Sequence, residues 1–237
     1  MLRPLSVFLL LSLAMGGMFA SRSHRVALVC GPAVENRQQL DEARHGLYRS
    51  LRERTDLEQI VWMGDMVADD ASLLAPTAAT LDSLSIPWFC VPGGKDRDFY
   101  RLATSTRPGG HLPSRERDFA TWQAVMPSLD TSWVAFDIRW IILSNVRTVR
   151  HQKVGGLNER QKARLEEWLR RTPEQQTVVL CTYLPLSQCT GADSLQRILS
   201  LHKRTRQICT VPCSDPDILS VSDQGGIYTL DIKNGGW

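Results

Sequence analysis

Five short stretches carry the side chains whose types and placing could do chemistry: Cys30-Gly-Pro-Ala33, Gly64-Asp-Met-Val-Ala-Asp-Asp70, Gly93-Gly-Lys-Asp96, Tyr183-Leu-Pro185 and Pro212-Cys-Ser-Asp215. Between them they offer a carboxylate, Asp65, a cation, Lys95, and a thiol beside a second carboxylate, Cys213 and Asp215. Cys213 with Asp215 could bind a soft metal such as zinc, although a disulfide or a plain thiol is the preferred reading of Cys213. Lys95 could grip a phosphate or sulfate oxygen as a point charge. Plainer readings stand beside these. Asp65 could accept backbone hydrogen bonds or pair with Lys95, and the pairing is preferred because a lysine there supplies positive charge to the carboxylate. Tyr183 reads as a half-buried aromatic with its hydroxyl satisfied. Asp69, Asp70 and Asp96 read as loop carboxylates making turn hydrogen bonds.

What places these stretches is the run before each of them. Val26–Cys30, Ile60–Met63, Pro87–Val91, Thr177–Thr182 and Gln207–Val211 are short apolar runs that read as buried strands. Amphipathic segments separate them: Leu40, Ala43, Leu47 and Leu51 put one apolar stripe on a helix from about Asn36 to Arg54, and Leu73, Leu74, Ala78, Leu81 and Leu84 make a second. Such alternation is the mark of βα units feeding a largely parallel sheet, in which ligands bind outside the carboxyl ends of the strands. Thr104–Ser114, rich in Pro, Gly, Ser and Arg, reads as an exposed loop. Trp133–Phe136 and Trp140–Leu143 then suggest a hairpin in a second sheet. Asn158 with Gln161 spells a capping box, with Leu157 as a hydrophobic staple, for a helix through Leu165, Trp168 and Leu169 that stops at Pro173. A short helix from Ser194 to His202 and a last strand from Gly226 to Ile232 complete the reading. The tryptophans at 62, 88, 133, 140 and 168 fall on core positions.

The order and spacing of the five stretches resemble the blocks of the calcineurin-like metallophosphoesterase superfamily, written DxH, GDxxD, GNHD, HxP and GHxH. Gly64-Asp65 with Asp69, the frame Pro92-Gly-Gly-Lys-Asp96, and Gly155-Gly-Leu-Asn-Glu-Arg-Gln161 before the fourth block carry the resemblance, which runs from about Arg25 to the carboxyl terminus. It implies a four-layer α/β/β/α sandwich in which two metal ions, clamped between strand-end loops, generate the hydroxide that attacks a phosphoester. It also implies a degenerate site. The Asp and His of the first block fall on Gly31 and Ala33, the bridging carboxylate on Asp65, the Asn ligand on Gly94, the assisting His on Lys95 and the HxP His on Tyr183; Cys213 and Asp215 stand where the last two His would be. The five histidines (24, 45, 111, 151, 202) all lie off the motif positions, and His111 and His151 read as loop residues. An unrelated doubly wound sheet is the alternative architecture, distinguished by the absence of a second sheet after Thr131.

Residues 1–20 carry Arg3, an apolar run from Leu5 to Ala14 and small residues up to Ala20, the order of a secretory signal peptide cut after Ala20. The division is therefore a signal peptide, 1–20, and one phosphoesterase-like domain, 21–237, exported to a periplasmic, cell-surface or secreted location with no stable membrane span after cleavage. Among the six cysteines, Cys30, Cys90, Cys181 and Cys209 sit in strand-like runs as small hydrophobes, and Cys189 with Cys213 is the candidate disulfide. The net charge of +3 is spread among acids, with no basic stripe, so nucleic acid is excluded as a partner. The expected function is non-catalytic, by binding, with no cofactor. The alternative is a phosphoester hydrolase with a rearranged or single-metal site, in which a divalent metal is held by Asp65, Cys213 and Asp215 while Lys95 and Tyr183 contact the substrate.

Overall fold

The computed structural model describes residues 23–68, 70–96, 119–126, 128–149, 152–211, 218–220 and 226–233. The first sheet has the order β11-β1-β2-β3, built from β1 (Ser23–Cys30), β2 (Gln59–Met63), β3 (Trp88–Val91) and β11 (Gly226–Lys233). β1, β2 and β3 are parallel, and β11 closes the edge antiparallel to β1. The second sheet has the order β10-β9-β8-β5-β4, from β4 (Asp130–Ala135), β5 (Ile138–Leu143), β8 (Thr177–Thr182), β9 (Thr205–Cys209) and β10 (Ile218–Ser220). A small antiparallel pair, β6 (Val146–Val149) and β7 (Gln152–Gly155), stands apart.

Alternation along each strand makes these sheets the inner two of four layers. Val26, Leu28 and Cys30 of β1 and Val61 and Met63 of β2 meet Ile138, Trp140 and Ile142 of β5 and Val179 and Cys181 of β8, all fully buried. The intervening residues face outward onto helices. Ala27, Val29, Ile60 and Trp62 pack under α1 (Arg37–His45), α2 (Leu47–Glu53), α3 (Leu74–Asp82) and α4 (Ala120–Val125). Ile141, Leu143, Val178 and Leu180 pack under α5 (Glu159–Arg170) and α6 (Ala192–Leu199). Strands buried on both faces have to read as unbroken apolar runs, as these do. The architecture is thus the α/β/β/α sandwich, and the doubly wound alternative falls with the second sheet.

Local chemistry sets the joints. Trp133 pairs with Trp140 across the β4–β5 hairpin, whose turn residues Phe136 and Asp137 both hold positive φ, as a type I′ turn requires. The capping box at the start of α5 forms in full, with Asn158 accepting from the Gln161 amide at 2.8 Å and Gln161 accepting from the Asn158 amide at 3.1 Å. The single helix expected from Asn36 to Arg54 is two, because Gly46 leaves the helical region (φ −99°, ψ −94°); glycine is the residue least costly to take out of a helix. β9 lies two residues earlier than the apolar run suggests, and β6, β7, β10 and α4 carry no periodic signal strong enough to read. Trp62 and Trp140 are fully buried, whereas Trp88, Trp133 and Trp168 are half-buried, Trp133 stacking on Phe89 at 3.6 Å. The segments 1–20 and Thr104–Ser114 lie outside the described residues, and no helix among the described residues is long and apolar enough to cross a membrane.

The layer order ranks substitutions. Trp140→Ala empties part of the core between the sheets and is expected to cost about 3–5 kcal/mol. Asn158→Ala, which removes one cap, is expected to cost about 1 kcal/mol. Urea unfolding of both variants checks this, and equal costs would contradict the placement of Trp140 between two closed sheets.

Candidate functional site

Because β1, β2 and β3 run parallel, and β5, β8 and β9 do too, the loops after each set gather at one rim. Hydrogen bonds cross between the sheets there. The Thr210 hydroxyl, just after β9, donates to the carbonyl of Met63 at the end of β2. Within the second sheet, the amides of Thr210 and Val211 donate to the Tyr183 carbonyl at 3.2 and 3.1 Å, extending the pairing of β8 and β9. Within the first sheet, Val34 and Val67 bridge, so the loops after β1 and β2 are tied as well.

At the centre stands Asp65, buried to 9 % exposure. Its Oδ1 accepts from the Lys95 backbone amide at 2.8 Å, and its Oδ2 accepts from the Tyr183 hydroxyl at 2.7 Å. Asp65 adopts positive φ (47°), a conformation that Asp tolerates better than most residues. Two glycines make this close approach possible. Gly64 has φ +83°, and a Cβ there would lie 2.6 Å from the Tyr183 ring. A Cβ on Gly93 would strike the amide and carboxylate of Asp65.

The expected ion pair between Asp65 and Lys95 is not what forms. The turn from Gly93 to Asp96 presents the Lys95 amide to the carboxylate, and the Lys95 side chain is exposed, where a strongly hydrated ammonium is most stable. Tyr183 is half-buried with its hydroxyl bonded, the packing expected of it. Asp70 takes its turn role, accepting from the Ser72 amide at 3.0 Å and hydroxyl at 2.7 Å. Gly31 is buried and Ala33 half-buried at the end of β1, and neither offers a donor atom on its side chain. Asp69, His111, His151, Cys213 and Asp215 lie outside the described residues, and with them the Cys189–Cys213 disulfide.

Asp96 is a second carboxylate at this rim, 1 % exposed. It accepts from the amides of Val67 at 2.9 Å and Gly93 at 2.8 Å, and from that of Met66. Burial first, and repulsion from Asp65 second, push its pKa up to about 7 against the pull of these amides. Burial likewise pushes the Cys90 and Cys181 thiols up.

Two supports went unread in the sequence. Asn145, fully buried after β5, accepts from the Leu184 amide at 3.1 Å and donates to the Leu184 carbonyl at 2.7 Å and the Cys189 sulfur at 3.4 Å. Gln207 donates to the Thr182 hydroxyl at 2.7 Å, which in turn donates to the Leu184 carbonyl at 2.7 Å. Both fix the loop that carries Tyr183, and the one sign of Asn145 in the sequence is its position just after the apolar run of β5.

With this geometry in view, comparison with solved structures places the fold. A dimetal phosphatase from Danio rerio superposes with a TM-score of 0.58 at 16 % identity, covering 89 % of this chain and 93 % of that one. GAP50, the anchor in the inner membrane complex of Plasmodium, gives 0.49 at 15 % identity over 84 % of this chain and 71 % of that one. TT1561 of Thermus thermophilus gives 0.48 at 11 % identity over 89 % and 99 %. No family model and no curated protein matches the sequence. The class defined here is therefore structural, an α/β sandwich of the metallophosphoesterase type.

The resemblance of the sequence blocks implies a divalent metal pair, and the described residues at the rim do not fit one. Gly31, Ala33 and Gly94 bring no donor side chain, and both oxygens of Asp65 already hold protein donors. No group of three or more His, Cys, Asp or Glu able to hold a metal occurs among the described residues.

Asp96 gives the rim a pH signature. Its pKa in the fold, about 7, lies above the ordinary carboxylate value of about 4, so the folded state binds the extra proton between those limits. Its contribution is then most favourable below about pH 4 and is lost as pH rises toward 7. Urea midpoints measured at several pH values should show wild type losing stability relative to Asp96→Asn over this window and holding a constant difference above it. Parallel curves would show that Asp96 titrates normally.

Proposed function

We propose that this chain is an exported, non-catalytic protein on the metallophosphoesterase-type fold, which acts by binding rather than by hydrolysis. The observation that carries the reading is the occupancy of Asp65. A carboxylate that bridges two cations must turn its lone pairs toward them. Here one oxygen receives the Tyr183 hydroxyl and the other the Lys95 amide, at 2.7 and 2.8 Å. Tyr183 is itself pinned within its own sheet through its carbonyl by the amides of Thr210 and Val211, and its hydroxyl bond to Asp65 ties that sheet to the other. Glycine and alanine at positions 31, 33 and 94 add no ligand that could compete.

The likeness to a dimetal phosphatase favours a second reading, a metal-dependent phosphoesterase with a rearranged or single-metal site. In that reading Asp65, Cys213 and Asp215 hold the ion, and Lys95 faces the phosphate. The two part on one experiment. Purified mature protein is expected to contain no stoichiometric divalent metal by elemental mass spectrometry and to show no turnover of aryl phosphate mono- or diesters that Asp65→Ala removes. Metal at one or more ions per chain, together with an Asp65-dependent turnover, would establish the hydrolase.

Export is a separate part of the proposal, supported by the charged start, apolar run and small residues of the first twenty positions. Amino-terminal sequencing of the protein recovered outside the cytoplasm is expected to begin at Ser21. A product retaining Met1 would refute cleavage.

A further inference from the structure

A groove of about 470 Å3 runs over the outer helix layer of the first sheet, lined by none of the rim residues. One wall is α1 and α2, which present Arg44 and His45 from the end of the first helix and Arg49 and Arg52 from the second. The other wall is α3 with the residue that ends it, presenting the short side chains Ala79, Thr80 and Ser83. Tyr48, buried and stacked on Trp62, closes the base.

Hydroxyls across the groove hold two guanidinium groups in place. Arg44 donates through Nε to Thr80 Oγ1 at 3.0 Å, and Arg52 through Nη2 to Ser83 Oγ at 3.1 Å. Thr80 and Ser83 are themselves anchored, donating to the carbonyls of Pro76 and Thr80 at 2.9 and 2.7 Å. The acids around the groove are largely committed. Asp41 takes Arg44 at 2.8 Å, Glu53 takes Arg49 at 2.8 Å, and Asp82 accepts from the Trp88 indole at 2.9 Å. Arg52 has no carboxylate partner among the described residues; its tether is a neutral hydroxyl, which fixes the planar fork without cancelling its charge. His45 adds a ring whose Nδ1 lies 2.7 Å from the Asp41 carbonyl, leaving Nε2 for another partner.

A positioned guanidinium in a wide groove, with an uncancelled charge and an apolar base, suits a doubly charged tetrahedral oxyanion attached to a larger body. We propose that this groove binds a phosphate group, carried by a soluble phosphomonoester or by a lipid headgroup, with Arg52 as its principal contact and the rest of the ligand lying over Tyr48 against the Ala79 wall.

The test titrates the full chain at low salt with phenyl phosphate and with phosphatidylcholine vesicles with or without phosphatidic acid. Saturable binding of phenyl phosphate or of the phosphatidic acid vesicles is expected, weakened at least about tenfold in Arg52→Ala and unchanged in Arg206→Ala, an exposed arginine on the other sheet. Matched thermal midpoints confirm that both variants fold. Binding of phenyl phosphate identifies a soluble source, and binding of the acidic vesicles alone a lipid source. No saturable binding to either probe, or equal losses in the two variants, overturns the proposal.

Discussion

The face-to-face packing of two sheets is the constraint from which the rest follows. Val26, Leu28, Val61 and Met63 on one side and Trp140, Ile142, Val179 and Ile208 on the other are all fully buried, so neither sheet can slide or rotate without exposing apolar surface. Burial is worth about 25 cal/mol for each Å2 of apolar surface removed from water, so separating the sheets carries a large cost. Its consequence is geometric. Once the parallel strands of both sheets are locked side by side, their carboxyl ends open onto a common rim, and every polar group there has to find a partner or meet water.

The rim meets that demand across the sheets and not only within them. Thr210 reaches Met63, the Tyr183 hydroxyl reaches Asp65, and Asn145 clamps the loop carrying Tyr183 by binding both the amide and the carbonyl of Leu184. The glycines at 64 and 93 are part of the same solution, since a side chain at either would separate the ring from the loop or the loop from the carboxylate. Positive φ at Gly64 and Asp65 turns the chain sharply enough for the carboxylate to face inward at the end of a straight strand.

Much of this architecture could be read from one sequence because burial on both faces leaves a direct trace. Val26–Cys30, Ile60–Met63 and Thr177–Thr182 are unbroken apolar runs, and Asn158 with Gln161 is a cap whose spacing is its mechanism. What escaped has little periodicity or depends on a partner far along the chain. The break at Gly46 falls within an apolar stripe that continues on both sides of it, so the stripe conceals the kink. Residue type and position single out Asp65 and Tyr183 separately, yet the bond between them spans 118 residues and has no local sign. Lys95 shows the limit most plainly. Residue type pointed to its ammonium, and the backbone turn put its amide to use instead.

Carboxylates buried at a sheet rim need positive charge, hydrogen-bond donors or a proton, and the three are interchangeable only in part. Asp65 is satisfied by one amide and one hydroxyl, which supply directed donors but no net charge. Asp96 receives amides from Val67, Gly93 and Met66 and still sits near pH 7, because dipoles alone do not offset full burial beside a second carboxylate. A cation at this rim would favour the charged form of Asp96, whereas donors belonging to the chain leave Asp96, the more deeply buried of the two carboxylates, to a proton. Among the described residues each oxygen of Asp65 is thus already engaged by a donor of the chain, and a cation approaching it competes with the Tyr183 hydroxyl, which also ties the two sheets together.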